Sequence, residues 1–260
     1  MLLAVDVGNT QTVLGLFAGD VLVHEWRLTT QPTRTADEID IDLHAILARR
    51  GIVDGDVDAA ALSTTVPTLT VPWTSVLARI AGRAPVVVGP GVRTGVPVRT
   101  DNPREVGPDR IANAVGAHAL HGGPCIVVDF GTSTNFDVVS ADGEFLGGAL
   151  APGVEISMEA LYTRAARLLK VELAAPSTAI GKSTVASMQS GAVFGFAGLV
   201  DGIVGRIQSE LGTRCPVIAT GGLAALIAPH ASSITTHEPW LTLIGLRLVW
   251  ERAGADAVSG

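Results

Sequence analysis

Leu3-Ala4-Val5-Asp6-Val7-Gly8-Asn9-Thr10 and Ile126-Val127-Val128-Asp129-Phe130-Gly131-Thr132-Ser133 are two copies of one pattern. Each runs as an apolar strand, an Asp, an apolar residue, a Gly, then residues with hydroxyl or amide side chains. Each continues into a second apolar stretch, Val13 to Phe17 or Phe136 to Val139. A turn follows, Ala18-Gly19-Asp20 or Ala141-Asp142-Gly143, and then another strand. The two aspartates lie 129 − 6 = 123 residues apart in a chain of 260. A hairpin unit recurring at about half the chain length predicts a duplicated domain with a cleft between the halves. The expected division is 1–120 and 121–260.

The hairpins also carry a chemical expectation. A Gly at the strand-to-strand turn lets main-chain amides face phosphate oxygens. Asn9, Thr10, Thr12, Thr132 and Ser133 can add donors to the same oxygens. The strand-end Asp cannot bind phosphate, because like charges repel. It is suited to hold a cation, directly or through water, that neutralises a polyphosphate. One such hairpin reads equally well as an Asp capping its own turn; two, related by duplication, favour the phosphate reading.

The rest of the chain supplies helices and further strands. Thr35-Ala36-Asp37-Glu38 is a capping box, followed by Ile39, Leu43, Ile46 and Leu47 on one face and stopped by Gly51. Strands are expected at Val57 to Ser63, Pro85 to Val88 and Val217 to Ala219, the last ending in Thr220-Gly221-Gly222. Helices are expected at Leu69 to Ile80, Asp109 to Leu120, Met158 to Leu169 and Gly191 to Leu211. Gly191, Gly195, Gly198, Gly202 and Gly205 would allow close backbone approach along the last of these. Strands first and helices after, twice over, give a mixed α/β architecture.

Composition narrows the class. Hydrophobic residues make up 47% and the net charge is −7, so the chain can build a core and lacks the basic balance of a general nucleic-acid or membrane-surface binder. Cys125 and Cys215 are the only cysteines, too few for a disulfide framework or a four-thiolate zinc site. Asp6 follows too closely on Met1 for a signal peptide to precede it, and no apolar run approaches ~18 residues. The expectation is a soluble, cytoplasmic globular protein.

Three nucleotide or metal signatures nearly form and are set aside. Ile180-Gly181-Lys182-Ser183 looks like the end of a Walker A loop, but Pro176 stands where that loop needs Gly. Gly89-Pro90-Gly91 follows a strand, yet Thr94 occupies the third glycine position of a dinucleotide fingerprint. His118 and His121 share a helix without a carboxylate or thiol cluster beside them.

Two Asp-x-Gly hairpins plus a late strand ending in Gly221-Gly222 resemble the phosphate-1, phosphate-2 and adenosine motifs of the actin-like ATPase and sugar-kinase superfamily. Within it, the ordered set resembles the type III pantothenate kinases. The set is Asp6-Val7-Gly8-Asn9-Thr10, Asn102 through Gly107-Pro108-Asp109-Arg110, Val128 through Thr132, Gly147-Gly148 with Ala151-Pro152-Gly153, Ile180 through Thr184, Gln189-Ser190-Gly191 and Leu241 through Leu246. It spans nearly the whole chain.

The resemblance implies two ribonuclease-H-like domains and ATP-dependent phosphorylation of pantothenate to 4′-phosphopantothenate, the first step of coenzyme A synthesis. It implies a homodimer, magnesium, and potassium or ammonium. Asp109 matches the catalytic base. Gly107, Pro108, Asp109, Arg110 and Thr184 match the pantothenate site. Asp6, Val7, Gly8, Asn9, Thr10, Gln11, Thr12, Val13, Thr132, Gly221 and Gly222 match the ATP site. Asp6 corresponds to the magnesium-organising position, through water, and Asp129 to the monovalent-cation ligand. Thr100 departs from the pattern, standing where many members carry an aromatic wall of the pantothenate pocket. The resemblance also admits a kinase for another small alcohol or a binding-only regulator of transcription. A protein retired from catalysis, however, has no need of base, arginine and both phosphate turns together. The helix from Gly191 to Leu211 is apolar on several faces and needs cover from its own chain or from a second copy; the resemblance favours the second copy.

Overall fold

The computed structural model describes residues 1–53, 55–165 and 168–257. The chain forms two compact units, Met1–Gly116 with Leu241–Gly260, and Ala117–Trp240.

In the first unit, β1 (Leu2–Val7), β2 (Gln11–Ala18) and β3 (Val21–Thr29) form an antiparallel meander. β4 (Ala59–Thr64) and β5 (Val86–Val87) continue the sheet in parallel, giving the order β3-β2-β1-β4-β5. Side chains alternate across a strand. Leu3, Val5 and Val7 enter a core with Ile39 and Leu43 of α1 (Ala36–Ala48) and Leu69, Trp73 and Leu77 of α2 (Pro67–Ala81). The capping box of α1 forms as expected: the Thr35 amide donates to Glu38 Oε2 at 2.8 Å and the Glu38 amide to Thr35 Oγ1 at 3.3 Å. Leu2, Ala4 and Asp6 take the opposite face.

That second face is covered by α7 (Leu241–Ala257), which packs on β1 and β4. This corrects the expected division at 120/121: the C-terminal segment returns to the first unit because Leu241, Leu243, Leu246 and Val249 are all buried. α7 also crosses α3 (Pro108–His121) at very short range. A Cβ on Gly245 would come within 1.9 Å of the Ala112 carbonyl oxygen, so no larger residue fits there. Thr242 Oγ1 donates to Asn113 Oδ1 beside this crossing, at 2.7 Å.

The second unit repeats the plan. β6 (Cys125–Phe130), β7 (Ser133–Val139) and β8 (Phe145–Pro152) form the meander, and β9 (Val217–Thr220) and β10 (Thr236–His237) extend it in parallel. The order β10-β9-β6-β7-β8 mirrors that of the first unit when read from β8. Duplication is therefore visible in topology as well as in sequence. Ile126, Val128 and Phe130 pack on Val154 and Met158 of α4 (Val154–Arg164) and on Met188, Val193, Val200 and Val204 of α5 (Thr184–Leu211).

Two helices differ from expectation. α4 starts at Val154 and ends at Arg164, earlier than Met158 to Leu169; residues 166 and 167 of the expected span lie outside the described residues. α5 starts at Thr184, ahead of Gly191, because Ser183 Oγ accepts from the Ala186 amide at its N-cap. Its 28 residues make one helix long and apolar enough to cross a membrane, by length and composition, which corrects the expectation that no such run exists. The helix is nevertheless tied into the second unit by polar contacts along its length. Asp201 accepts from the amides and hydroxyls of Ser232 and Ser233. Ser190 donates to the Ala179 carbonyl and Gln208 to that of Cys215.

Candidate active site

The first hairpin is closed by the Gly8 amide donating to the Gln11 carbonyl at 3.0 Å. The Val7 carbonyl accepts from both the amide and the hydroxyl of Thr65, so the end of β4 fixes the end of β1. Asn9, Thr10 and Gln11 are exposed at the tip, and Asp6 is half-buried at its base. Thr12 is placed differently from the expectation that it adds a donor: its hydroxyl is buried and shares a 2.8 Å hydrogen bond with Thr30 Oγ1. Val7 is buried and Val13 half-buried, so these two have only main chain to offer a ligand.

The second hairpin repeats the closure, with the Gly131 amide donating to the Ser133 carbonyl at 3.0 Å. Its loop is one residue shorter, since two residues separate Phe130 from Ser133 and three separate Val7 from Gln11. Thr132 is exposed at the tip, whereas the Ser133 hydroxyl donates to Asn135 Oδ1 at 2.9 Å. Two other segments converge on this hairpin. A Cβ on Gly153 would lie 2.2 Å from the Thr132 carbonyl oxygen, and one on Gly221 would lie 2.4 Å from Asp129 Oδ1. Gly221 also has φ +92°, which favours glycine independently. The strand-end Asp, the Thr132 tip, the Gly221-Gly222 turn and the start of α4 at Gly153 thus meet within the second unit. A helix start offers unpaired amides to an anion. Gly153 is a close-approach position that the hairpin repeat alone does not mark.

The stretch before α3 sets the position of Asp109. Asn102 accepts from the Arg104 amide and donates to Glu105 Oε1 at 2.6 Å, folding a short 3₁₀ turn over Pro103–Glu105. Pro108 then begins α3, a favourable first position for proline. Asp109 follows with its carboxylate bent back over Gly107: a Cβ there would lie 2.4 Å from Asp109 Oδ1. That oxygen is sealed from solvent without a hydrogen-bond partner. Burial pushes the Asp109 carboxyl above the usual carboxylate range, with the Arg110 amide and guanidinium opposing the shift. Arg110 is half-buried beside it.

Thr184, the first residue of α5, lies on the second unit and lines a surface cavity of about 910 Å³ with Met158, Leu161, Lys182, Met188 and Phe196. Among the described residues no three His, Cys, Asp or Glu side chains gather as a metal cluster. Cys125 and Cys215 are buried and free, and burial with the neighbouring Cys215 holds the Cys125 thiol up at about 12.

Comparison with known proteins identifies the family. A chain from Acidothermus cellulolyticus described as a type III pantothenate kinase is 56% identical, covering 97% of this chain and 98% of its own length. One from Moorella thermoacetica with the same description is 51% identical, covering 97% and 99%. Among solved structures, component A of (R)-2-hydroxyglutaryl-CoA dehydratase from Acidaminococcus fermentans superposes with TM-score 0.59 at 14% identity, covering 97% and 98%. The ROK hexokinase of Thermus thermophilus gives 0.53 at 15%, covering 98% and 99%. These distant structures share the actin-like fold. The family model for type III pantothenate kinase matches residues 2–206, and the chain belongs to that family.

Proposed function

We propose that this kinase uses Asp109 as the base that accepts the proton of the pantothenate terminal hydroxyl as that oxygen attacks the γ-phosphorus of ATP. The overall reaction is that of the family, ATP-dependent phosphorylation of pantothenate at the entry to coenzyme A synthesis. The observation that carries the role of Asp109 is its bent carboxylate, with a sealed and unpartnered Oδ1 at the start of α3. Phosphoryl transfer needs positioning and charge stabilisation more than covalent help, so one well-placed carboxylate suffices. Gly107, Pro108, Arg110 and Thr184 bind pantothenate, with the planar fork of Arg110 suited to its carboxylate or to the transferring phosphoryl group. Asn9, Thr10, Gln11 and Thr132 offer donors to the ATP phosphates from the two exposed tips, and Gly221-Gly222 leaves room beside the second.

ATP kinases of this kind use a divalent cation. Single strand-end carboxylates, with no cluster of ligands among the described residues, suit a cation that keeps most of its waters and takes phosphate oxygens for the rest, as Mg2+ does. Asp6 would hold Mg2+ through water, and Asp129 would hold K+ or NH4+. Bound there, the cations neutralise phosphate charge. Purified protein should convert pantothenate and ATP to 4′-phosphopantothenate and ADP, faster with potassium. Folded protein that gives no product with or without potassium would overturn the assignment.

The assembly is a cytoplasmic homodimer without nucleic-acid or membrane partners. Only a third of the most apolar window of α5 is buried within its own chain. Its glycines Gly191, Gly195, Gly198, Gly202 and Gly205 have nothing within 4 Å of where a Cβ would stand. Ile156, Leu161, Ile180 and Val185 are exposed nearby in sequence. A second copy covering this face joins assembly to the Thr184 pocket, so specific activity should fall on dilution below the dimer dissociation constant. Sedimentation of a fully active monomer at assay concentration would sink the dimer.

A further inference from the structure

β1 and β4 run parallel and in register, with Asp6 opposite Ser63. Residues on one rung of a parallel pair share a face. Val7 and Leu62, of the other parity, point into the opposite core, so Ser63 stands on the Asp6 side of the sheet. The side chain of Ser63 is fully buried, and its Oγ has no hydrogen-bond partner. A buried hydroxyl left unsatisfied is destabilising, and native proteins rarely keep one without a use. The two residues that follow use their hydroxyls on main chain: Thr64 Oγ1 accepts from the Val66 amide at 3.1 Å, and Thr65 Oγ1 donates to the Val7 carbonyl at 3.3 Å. Ser63 alone of the three is left over. The duplicated unit repeats the pairing, with Asp129 opposite Thr220, another buried hydroxyl residue at the end of a parallel strand.

We propose that Ser63 is a positioning residue of the divalent-cation site, its hydroxyl oxygen accepting a hydrogen bond from a water that the cation shares with Asp6. This rests on the reading of Asp6 given above. A neutral hydroxyl suits the role, since it orients a water without adding a second charge to compete for the cation. Outer partners of this kind typically change metal affinity 10–100-fold when removed.

The test is Mn2+ titrated into the protein–ADP complex, with free Mn2+ read by electron paramagnetic resonance. Ser63→Ala should weaken Mn2+ by about 10-fold and leave metal-free ADP binding unchanged. Its ligand-free melting temperature should hold or rise by about 2–4 °C, because an unsatisfied buried hydroxyl has been removed. A merely structural serine would not trade cation affinity for stability in this way. Ser63→Cys, nearly isosteric and a poor acceptor, should weaken Mn2+ similarly without leaving a void. Wild-type Mn2+ affinity in both variants overturns the proposal. Asp6→Asn separates the two readings: if it weakens Mn2+ while both Ser63 variants do not, only the role of Ser63 falls. If Asp6→Asn also leaves Mn2+ affinity intact, the reading of Asp6 falls with it.

Discussion

Asp109→Asn is expected to lower pantothenate phosphorylation about 10²–10⁴-fold, the range typical of a general base, while ATP binding stays close to that of the wild type. The substitution keeps the shape bent over Gly107 and removes the proton acceptor. Burial raises the Asp109 pKa, and the base works only when ionised. The acid limb of the kcat/KM profile, which reports the free enzyme, should therefore sit above the ordinary carboxylate range, with activity lost as pH falls through it. Stability should move the other way. A carboxyl whose folded pKa exceeds its unfolded value binds its proton more tightly when folded. Its stabilising contribution is full below the unfolded pKa and is lost as pH rises through the raised one. At neutral pH the ionised Asp109 thus burdens the fold, and Asp109→Asn should melt no lower than wild type. Near-wild-type turnover, or an acid limb at the usual carboxylate position, would refute the assignment.

What was legible in the sequence was what local signals carry. The paired Asp-x-Gly hairpins were readable because period-2 alternation and a glycine turn are local signals, and the topology of both sheets follows them. The capping box of α1 was readable for the same reason. The return of α7 to the first unit was not. Its buried leucines say that it must be covered, but what covers it, the β1–β4 face and the α3 backbone at Gly116 and Ala112, lies more than a hundred positions away in sequence. Similarly, the spacing that nominated Thr12 as a phosphate donor could not reveal that Thr30 takes its hydroxyl. Ser63 escaped notice altogether. A lone serine at a strand end has no motif, and only its burial without a partner marks it.

Asp129→Ala is expected to remove activation by potassium, weakening the ion by at least about 100-fold, the upper end of what losing an outer partner costs. Asp6→Ala should keep the potassium response and instead demand more magnesium. The two aspartates occupy equivalent rungs of the duplicated sheets, so their sequence context does not separate them. Their neighbours do. Asp6 lies opposite the unsatisfied hydroxyl of Ser63, a place for an ordered water, which suits a small ion that gives up its hydration reluctantly. Asp129 lies under the Gly221 turn, with no room for a Cβ between that main chain and Oδ1. A carboxylate crowded by main chain suits direct ligation of a larger and more readily dehydrated ion. Gly221→Ala supplies an independent check. Its methyl would press on the same carboxylate from the other side, and it should impair the potassium response with Asp129 still present. An Asp129→Ala enzyme whose potassium activation curve matches wild type would place the ion elsewhere, and a Gly221→Ala enzyme with an unchanged curve would show that the turn does not shape its site.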